Sequence, residues 1–290
     1  MDLAFYFDLY PSVFVALMVI LGLLIGSFLN VVIYRLPIMM ESEWRAQCHS
    51  LFGCPDDPDK SPDETFNLVT PRSRCPHCLS MIKAIYNVPV FSYLLLEGKC
   101  KNCNNKISLR YPLVELLTGI LTGFIAWHFG YNLQTMFAVI LTWSLICLSM
   151  IDFDYQLLPD DITLPLLWLG LACNIFNLFT NIYSSLIGAM LGYGILWMIF
   201  ISFKLVTGKE GMGYGDFKLL AMLGAWLGWE ILPLIVLLSS MLGSIIGITL
   251  ILTGKQGKNK PIPFGPYLAI AGWFALIFGH EITDIYLKLV

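Results

Sequence analysis

Two aspartates have the surroundings that hydrolytic chemistry needs. Asp216 closes the stretch Gly211-Met-Gly-Tyr-Gly-Asp-Phe-Lys218, with glycine at three of the five positions before it. Such a loop lets a second backbone approach closely, which marks Gly213 and Gly215 as a substrate-approach loop. A helix cap would account for the aspartate but not for the glycines. Asp152 ends an apolar run, where the negative end of a helix dipole disfavours a carboxylate, so capping does not explain it. Two carboxylates sharing one proton can activate water: the ionised one is the base and the protonated one polarises the carbonyl. No Ser–His or Cys–His pair competes, because His49, His77, His128 and His280 are scattered along the chain. Asp154 reads as solvated. Asp160 and Asp161 precede an apolar run and read as helix N-cap and first-turn acids.

The second chemical constellation is made of sulfur. Cys75-Pro-His-Cys78 and Cys100-Lys-Asn-Cys103 are separated by 21 residues. Paired C-x-x-C turns at that spacing fit a four-cysteine zinc ribbon, each turn placing two thiolates on one face of the metal. A closed four-sulfur shell has no open position, so such a zinc is structural, and His77 is left exposed. Redox-active or unliganded thiols are the competing readings, and a reducing cytoplasm disfavours disulfides. Cys147 and Cys173 lie within apolar runs and read as small buried residues. Cys48 and Cys54 receive no role.

Both constellations need elements to position them, and composition says which kind. The 290 residues are 57% hydrophobic and 13% charged, with mean hydropathy +0.74. A soluble globular chain carries about twice that charge. An ordinary cytosolic enzyme, a disordered protein and a small disulfide scaffold are excluded. The net charge of −3 suggests no nucleic-acid partner. The expected fold is an all-α polytopic membrane protein. Apolar runs mark eight candidate spans: Val13–Tyr34, Pro112–Phe129, Leu133–Ile151, Ile162–Phe179, Ser184–Phe203, Phe217–Gly228, Ile231–Leu252 and Phe264–Gly279. The sixth, about 18 Å long as a helix, is short for a bilayer core of about 30 Å. It extends through Trp229 and Glu230, thins the bilayer, or forms a re-entrant hairpin with the seventh.

When eight spans alternate, sixteen of the seventeen Lys and Arg residues fall on one side, Lys288 being the exception. The positive-inside rule makes that side cytoplasmic and the N-terminus periplasmic. Asp2 and Asp8 with no basic n-region argue against a cleaved signal peptide. Three parts are expected: an N-terminal span over 1–35, a cytoplasmic four-cysteine domain over 36–110, and a seven-span membrane domain over 111–290. Within the cytoplasmic part, Met40 to Arg74 is polar and Asp/Pro-rich and reads as irregular loop. No internal repeat is evident. Asp152 and Asp216 are 64 residues apart, and the chain crosses out and back between them, so both return to the cytoplasmic level.

Gly-Tyr-Gly-Asp216 resembles the GxGD motif of membrane aspartyl proteases. Asp152-Phe-Asp-Tyr-Gln-Leu-Leu-Pro-Asp160 resembles the partner motif of one branch, the type IV prepilin peptidases. Gly26-Ser-Phe-Leu-Asn-Val-Val-Ile-Tyr-Arg-Leu-Pro37 is similar to that family's first span. The two cysteine pairs, Asn87-Val-Pro and Ile107-Ser-Leu-Arg-Tyr-Pro-Leu-Val-Glu115 are similar to its cytoplasmic domain. The set runs from about Gly26 to Gly265, nearly the whole chain. The resemblance implies a bifunctional enzyme of the bacterial inner membrane, active at the cytoplasmic face. It would cleave the leader of type IV prepilins and type II secretion pseudopilins after a glycine, usually before Phe. It would then N-methylate the new terminus with S-adenosylmethionine. Asp152 and Asp216 take the catalytic positions and Cys75, Cys78, Cys100 and Cys103 the metal-ligand positions; the cysteines favour methylation. No glycine-rich strand-to-helix motif places a methyl-donor pocket.

The competing classes are a presenilin-like intramembrane protease, a transporter, for which buried carboxylates mark ion paths, and a zinc-bearing scaffold without catalysis. A zinc ribbon is not needed by a transporter, and scaffolding leaves the glycine-flanked aspartate unexplained.

Overall fold

The computed structural model describes residues 3–52, 66–75, 77–82, 88–209, 211–253 and 263–289. Cys54, Asn87, Lys255, Lys258 and Lys260 lie outside them. The described residues are helical apart from loops and isolated β-bridges. Five helices are long and apolar enough to cross a membrane: Pro11–Phe52, Arg110–Phe129, Leu133–Tyr155, Ile182–Thr207 and Trp229–Leu250; Gly265–Gly279 is a shorter apolar helix. The chain divides into two compact units, Met1–Tyr131 and Asn132–Val290.

In the N-terminal unit a short helix α1 (Leu3–Leu9) leads into α2 (Pro11–Phe52), with α3 (Phe91–Leu95) and α4 (Arg110–Phe129) following. Helix α2 packs along α4. Gly22 and Gly26 on α2 and Gly119 and Gly123 on α4 make this approach close. A Cβ on Gly26 would lie 2.8 Å from the Glu115 backbone, and one on Gly119 2.9 Å from Leu23. Apolar side chains give no hydrophobic advantage over lipid, so small residues that admit close backbone contact supply the association. The hydroxyls of Thr118 and Thr122 are satisfied within α4, donating to the carbonyls of Val114 and Thr118 at 2.7 and 2.6 Å.

Helix α2 is 42 residues long, about 63 Å. It continues through Met40–Phe52, which corrects the reading of that stretch as loop. The residues Met39 to Arg45 are mostly good helix formers, and Arg45 pairs with Glu41 one turn earlier. The turn-forming Asp/Pro cluster begins only at Cys54.

The C-terminal unit holds α5 (Leu133–Tyr155), α6 (Asp160–Ile175), α7 (Ile182–Thr207), α8 (Tyr214–Leu227), a 3-10 turn (Trp229–Ile231), α9 (Leu232–Leu252) and α10 (Gly265–Leu289). Helices α5 and α7 start at asparagine N-caps: Asn132 accepts the Thr135 N–H at 2.7 Å and Asn181 the Ser184 N–H at 2.8 Å. Helix α7 stops at Gly208, in the left-handed region at φ 69°.

Helix α8 sits at the centre of this unit, against α6, α7, α9 and α10. From Asp216 to Leu227 every side chain but that of Lys218 is buried. That accounts for the short sixth span: it is a core helix, hydrophobic all round. It meets α7 where Gly188 and Gly224 touch and where a Cβ on Gly192 would lie 2.6 Å from the Leu220 carbonyl. Its last carbonyls lack helical partners. Asn174, fully buried, donates to the carbonyls of Ala225 and Trp226 at 2.9 and 3.0 Å. The same side chain accepts the N–H groups of Phe179 and Thr180.

Candidate functional site: a carboxylate pair and a four-cysteine cluster

Asp216 is the third residue of α8, after the N-cap Gly213. Its backbone N–H donates to the Gly213 carbonyl at 3.3 Å, and its carboxylate stands at the positive end of α8, where a Cβ on Gly213 would lie 3.9 Å from Oδ2. Asp152 lies in the last turn of α5, which ends at Gln156 in the left-handed region, φ 54°. Its Oδ2 accepts the Gly265 N–H at 3.0 Å. That N–H opens α10 and has no intrahelical acceptor, so the carboxylate occupies the positive end of another helix. Asp152 and Asp216 are 5% and 7% exposed, and the Asp152 charge acts on Asp216. The structure thus brings together the two aspartates paired from sequence.

The glycines divide the work. A Cβ on Gly215 would lie 2.8 Å from that of Leu158, and one on Gly265 would lie 2.6 Å from Asp152 Oδ2 and 3.2 Å from Leu158 Cδ2. One leucine therefore wedges between the loop before Asp216 and the N-terminus of α10. A Cβ on Gly213 would meet only Asp216 Oδ2, at 3.9 Å, so the space there is open. Gly265 had no assigned role in the sequence, because its partner is 113 positions away.

Asp160 and Asp161 stand in the first turn of α6, as expected, but neither caps it; the cap position is Pro159. Asp160 instead accepts both carboxylate hydrogen bonds from Lys218 Nζ, at 2.7 Å each. That pair ties α6 to α8 beside the carboxylates. Asp154 is exposed.

In the N-terminal unit, the Sγ atoms of Cys75, Cys78, Cys100 and Cys103 lie within 4.8 Å of one another. Cys75–Cys103 is 3.8 Å and Cys78–Cys100 is 4.0 Å. Four thiolates around one zinc at about 2.3 Å stand about 3.8 Å apart, so the donor set fits that ion. The two pairs are built alike. Cys75 N–H donates to Ser80 O and Cys100 N–H to Asn105 O; Leu79 and Asn104 have φ of 55° and 56°; Arg74 bridges Met81 and Lys99 bridges Lys106. This local repeat is in the backbone, and the side chains do not announce it. Cys78 also contacts the Ser80 hydroxyl at 2.9 Å, which lowers its thiol from 9.0 to about 6. His77 is exposed and outside the cluster; Cys147 and Cys173 are buried and Cys48 is exposed.

Two buried ionisable residues without an assigned role tie the cysteine region to its helices. Arg35 donates to the carbonyls of Asn67 and Pro71 just before the first pair. Glu115 accepts the Val90 N–H at 2.8 Å, between the pairs. An arginine and a glutamate at the ends of apolar runs were the available signal.

Comparison with known proteins follows this geometry. Residues 20–129 match the bacterial peptidase A24 N-terminal domain and residues 139–248 the type IV leader peptidase family. The chain is 55% identical to a prepilin leader peptidase/N-methyltransferase of Stutzerimonas stutzeri, over 96% of this chain and 95% of that protein. It is 54% identical to the protein of that name in Pseudomonas aeruginosa, over 99% and 98%, and 49% identical to that of Neisseria gonorrhoeae, over 89% and 88%. No solved structure matches. With its glycine-flanked carboxylate pair in one unit, its four-cysteine cluster in the other, and likeness along nearly all of its length, the chain belongs to the type IV leader peptidase family.

Proposed function

We propose that the protein is a bifunctional enzyme of the bacterial inner membrane. It removes the leader of type IV prepilins and type II secretion pseudopilins at the cytoplasmic face, then N-methylates the exposed terminus. The observation that carries the peptidase reading is the buried pair of Asp152 and Asp216, Asp152 held by the Gly265 N–H and Asp216 standing in the first turn of α8.

One carboxylate, ionised, takes a proton from water as the water oxygen attacks the scissile carbonyl carbon. The other, protonated, gives its proton to the carbonyl oxygen. Collapse of the tetrahedral intermediate expels the amine, which takes the proton held by the first carboxylate. The open space at Gly213 suits close approach of the substrate backbone. A glycine before the scissile bond would let a substrate helix unwind there.

Methylation belongs to the cysteine-bearing region, with zinc held by Cys75, Cys78, Cys100 and Cys103 as a structural ion. S-adenosylmethionine supplies the methyl group. The residues around the donor must hold the amine neutral and in line with the sulfonium methyl, away from water. An acid–base pair with its hydrolytic water does not suit that task. The basic loops face the cytoplasm and the N-terminus the periplasm, by the charge asymmetry of the sequence.

The test is incubation of the membrane-embedded protein with a full-length prepilin and labelled S-adenosylmethionine, with products read by mass. Loss of the leader followed by a gain of one methyl is expected. Asp152→Asn abolishes cleavage although it is isosteric, because an amide cannot serve as the base. Cleavage retained by Asp152→Asn would overturn the dyad.

A further inference from the structure

The dyad lies at the ends of α5, α8 and α10 but well below the ends of α7 and α9. Helices α7 and α8 run antiparallel, with Gly192 opposite Leu220, Tyr193 against Phe217 and Phe200 against Tyr214. That register puts Asp216 level with Leu196. Helix α7 continues to Thr207, about 16 Å farther. On α9, a Cβ on Gly243 would lie 3.2 Å from Tyr267 and 3.9 Å from Phe264, the neighbour of Gly265. Gly243 is thus level with the Gly265 N–H that holds Asp152, and α9 continues to Leu252, about 14 Å farther.

At and below the level of the dyad α7 and α9 go different ways: α7 packs along α8 while α9 packs on α10. Between them is an open groove of about 360 Å³. Leu196 and Ile199 form one wall and Ser240, Gly243 and Ser244 the other, with Met212 of the glycine loop at its end. Phe264 also lines it, so the groove borders the glycine loop before Asp216 and the segment whose Gly265 N–H holds Asp152.

We propose that this groove seats the apolar helix of the substrate, which enters sideways from the bilayer and lays its scissile bond across the dyad. The proposal rests on the peptidase reading and names the binding surface that reading needs. Three features favour a helix over a lipid chain. First, Ser240, Gly243 and Ser244 fall at i, i+3 and i+4, one helical face of small residues. The chain uses the same device where α2 meets α4, at Gly22, Gly26, Gly119 and Gly123, and where α7 meets α8, at Gly188 and Gly192. Secondly, Ser240 and Ser244 are exposed on a largely apolar span and both face the groove, where packing against lipid gives no reason for a hydroxyl. Thirdly, the groove is continuous with the catalytic loop, so a helix seated in it delivers its end to Asp216.

Two measurements test this in vesicles of phosphatidylethanolamine and phosphatidylglycerol. A photoreactive benzoylphenylalanine is placed at Ile199 or, as a control, at Met190 on the opposite face of α7, in an Asp216→Asn background that holds prepilin uncleaved. An adduct with prepilin at Ile199 and none at Met190 supports the groove. Adducts at both positions, at neither, or with lipid alone at Ile199 overturn it. In the otherwise native enzyme, Ser244→Trp is expected to raise KM for full-length prepilin at least tenfold with kcat within threefold. An unchanged KM, or a collapse of kcat alone, overturns it. The two readings fail differently. If the native enzyme leaves prepilin intact, the peptidase reading falls; if it cleaves prepilin and the adducts or KM go the wrong way, only the groove does.

Discussion

Gly265 sets where the Asp152 carboxylate points, because its N–H is the donor and its missing side chain is the space the carboxylate fills. Gly265→Ala puts a methyl 2.6 Å from Asp152 Oδ2, so something must move. The expected loss is at least tenfold in kcat/KM for cleavage, about 1.4 kcal/mol of transition-state stabilisation, with methylation of a pre-cleaved pilin unchanged. Steady-state kinetics on both reactions check it. The cysteines make a pH prediction. In zinc-free protein the Ser80 hydroxyl holds the Cys78 thiol down, from 9.0 to about 6. The thiolate is the reactive form, so alkylation of Cys78 by iodoacetamide has its midpoint near pH 6, and Ser80→Ala moves it upward. The folded pKa is the depressed one. The stability this thiolate gives the zinc-free domain is therefore full above about pH 9 and lost as pH falls through about 6. Cys78→Ser should lose the metal and loosen the domain, because zinc binding is coupled to folding. Residue types and spacing made the aspartates and cysteines legible from the chain alone. Gly265 and Leu158 were not, since a glycine that holds a carboxylate and one that merely turns the chain look the same in sequence.

Among elements, α8 carries the most constraint. It is buried nearly all round, and its C-terminal carbonyls are met by Asn174 on α6 and by the Ser185 hydroxyl on α7. Asn174→Ala leaves the Trp226 carbonyl without its donor and the Phe179 and Thr180 N–H groups without their acceptor, at about 1–3 kcal/mol for each buried group that nothing replaces, while Ser185 still serves Ala225. It should lower the melting temperature in detergent far more than Asp160→Asn. The latter breaks an ion pair whose side chains are 31% and 50% exposed, a class contributing about 0–1 kcal/mol. Asp160→Asn is therefore expected to retain most cleavage activity. Equal destabilisation by the two variants would mean that Asn174 is not the bracket holding α8. Each apolar run falls on a helix, but α2 runs on past Tyr34 to Phe52 and α10 past Gly279 to Leu289. The runs did not foretell which of them is central, because a lipid-facing helix and a buried one draw on the same apolar residues.

At the scale of the molecule, the cysteine cluster and the carboxylate pair belong to different compact units. Separate units for separate chemistries predict separable activities. Asp216→Ala should block methylation of a full-length prepilin, whose amine is not yet exposed, yet still methylate a pre-cleaved pilin beginning with Phe. Stripping the metal with a chelator should have the opposite bias, hurting methylation more than cleavage. Transfer of labelled methyl from S-adenosylmethionine reads both. A folded Asp216→Ala enzyme that methylates nothing would mean one shared site.

The sequence by itself determined the class of molecule, the lipid-soluble helices, the two constellations and the family they resemble. Each of these depends on residue type and on spacing along one chain. Only the tertiary structure decided that Asp216 is buried in the first turn of a core helix, that Asp152 is held by the start of α10, and that Asp160 pairs with Lys218 instead of capping α6. It also decided that Met40–Phe52 prolongs α2 and that α8 is core. The tertiary pairings join positions tens of residues apart, and they follow from which backbones can approach closely. That is set by the packing of glycine-bearing helix faces against one another, a property of pairs of elements and not of any one segment.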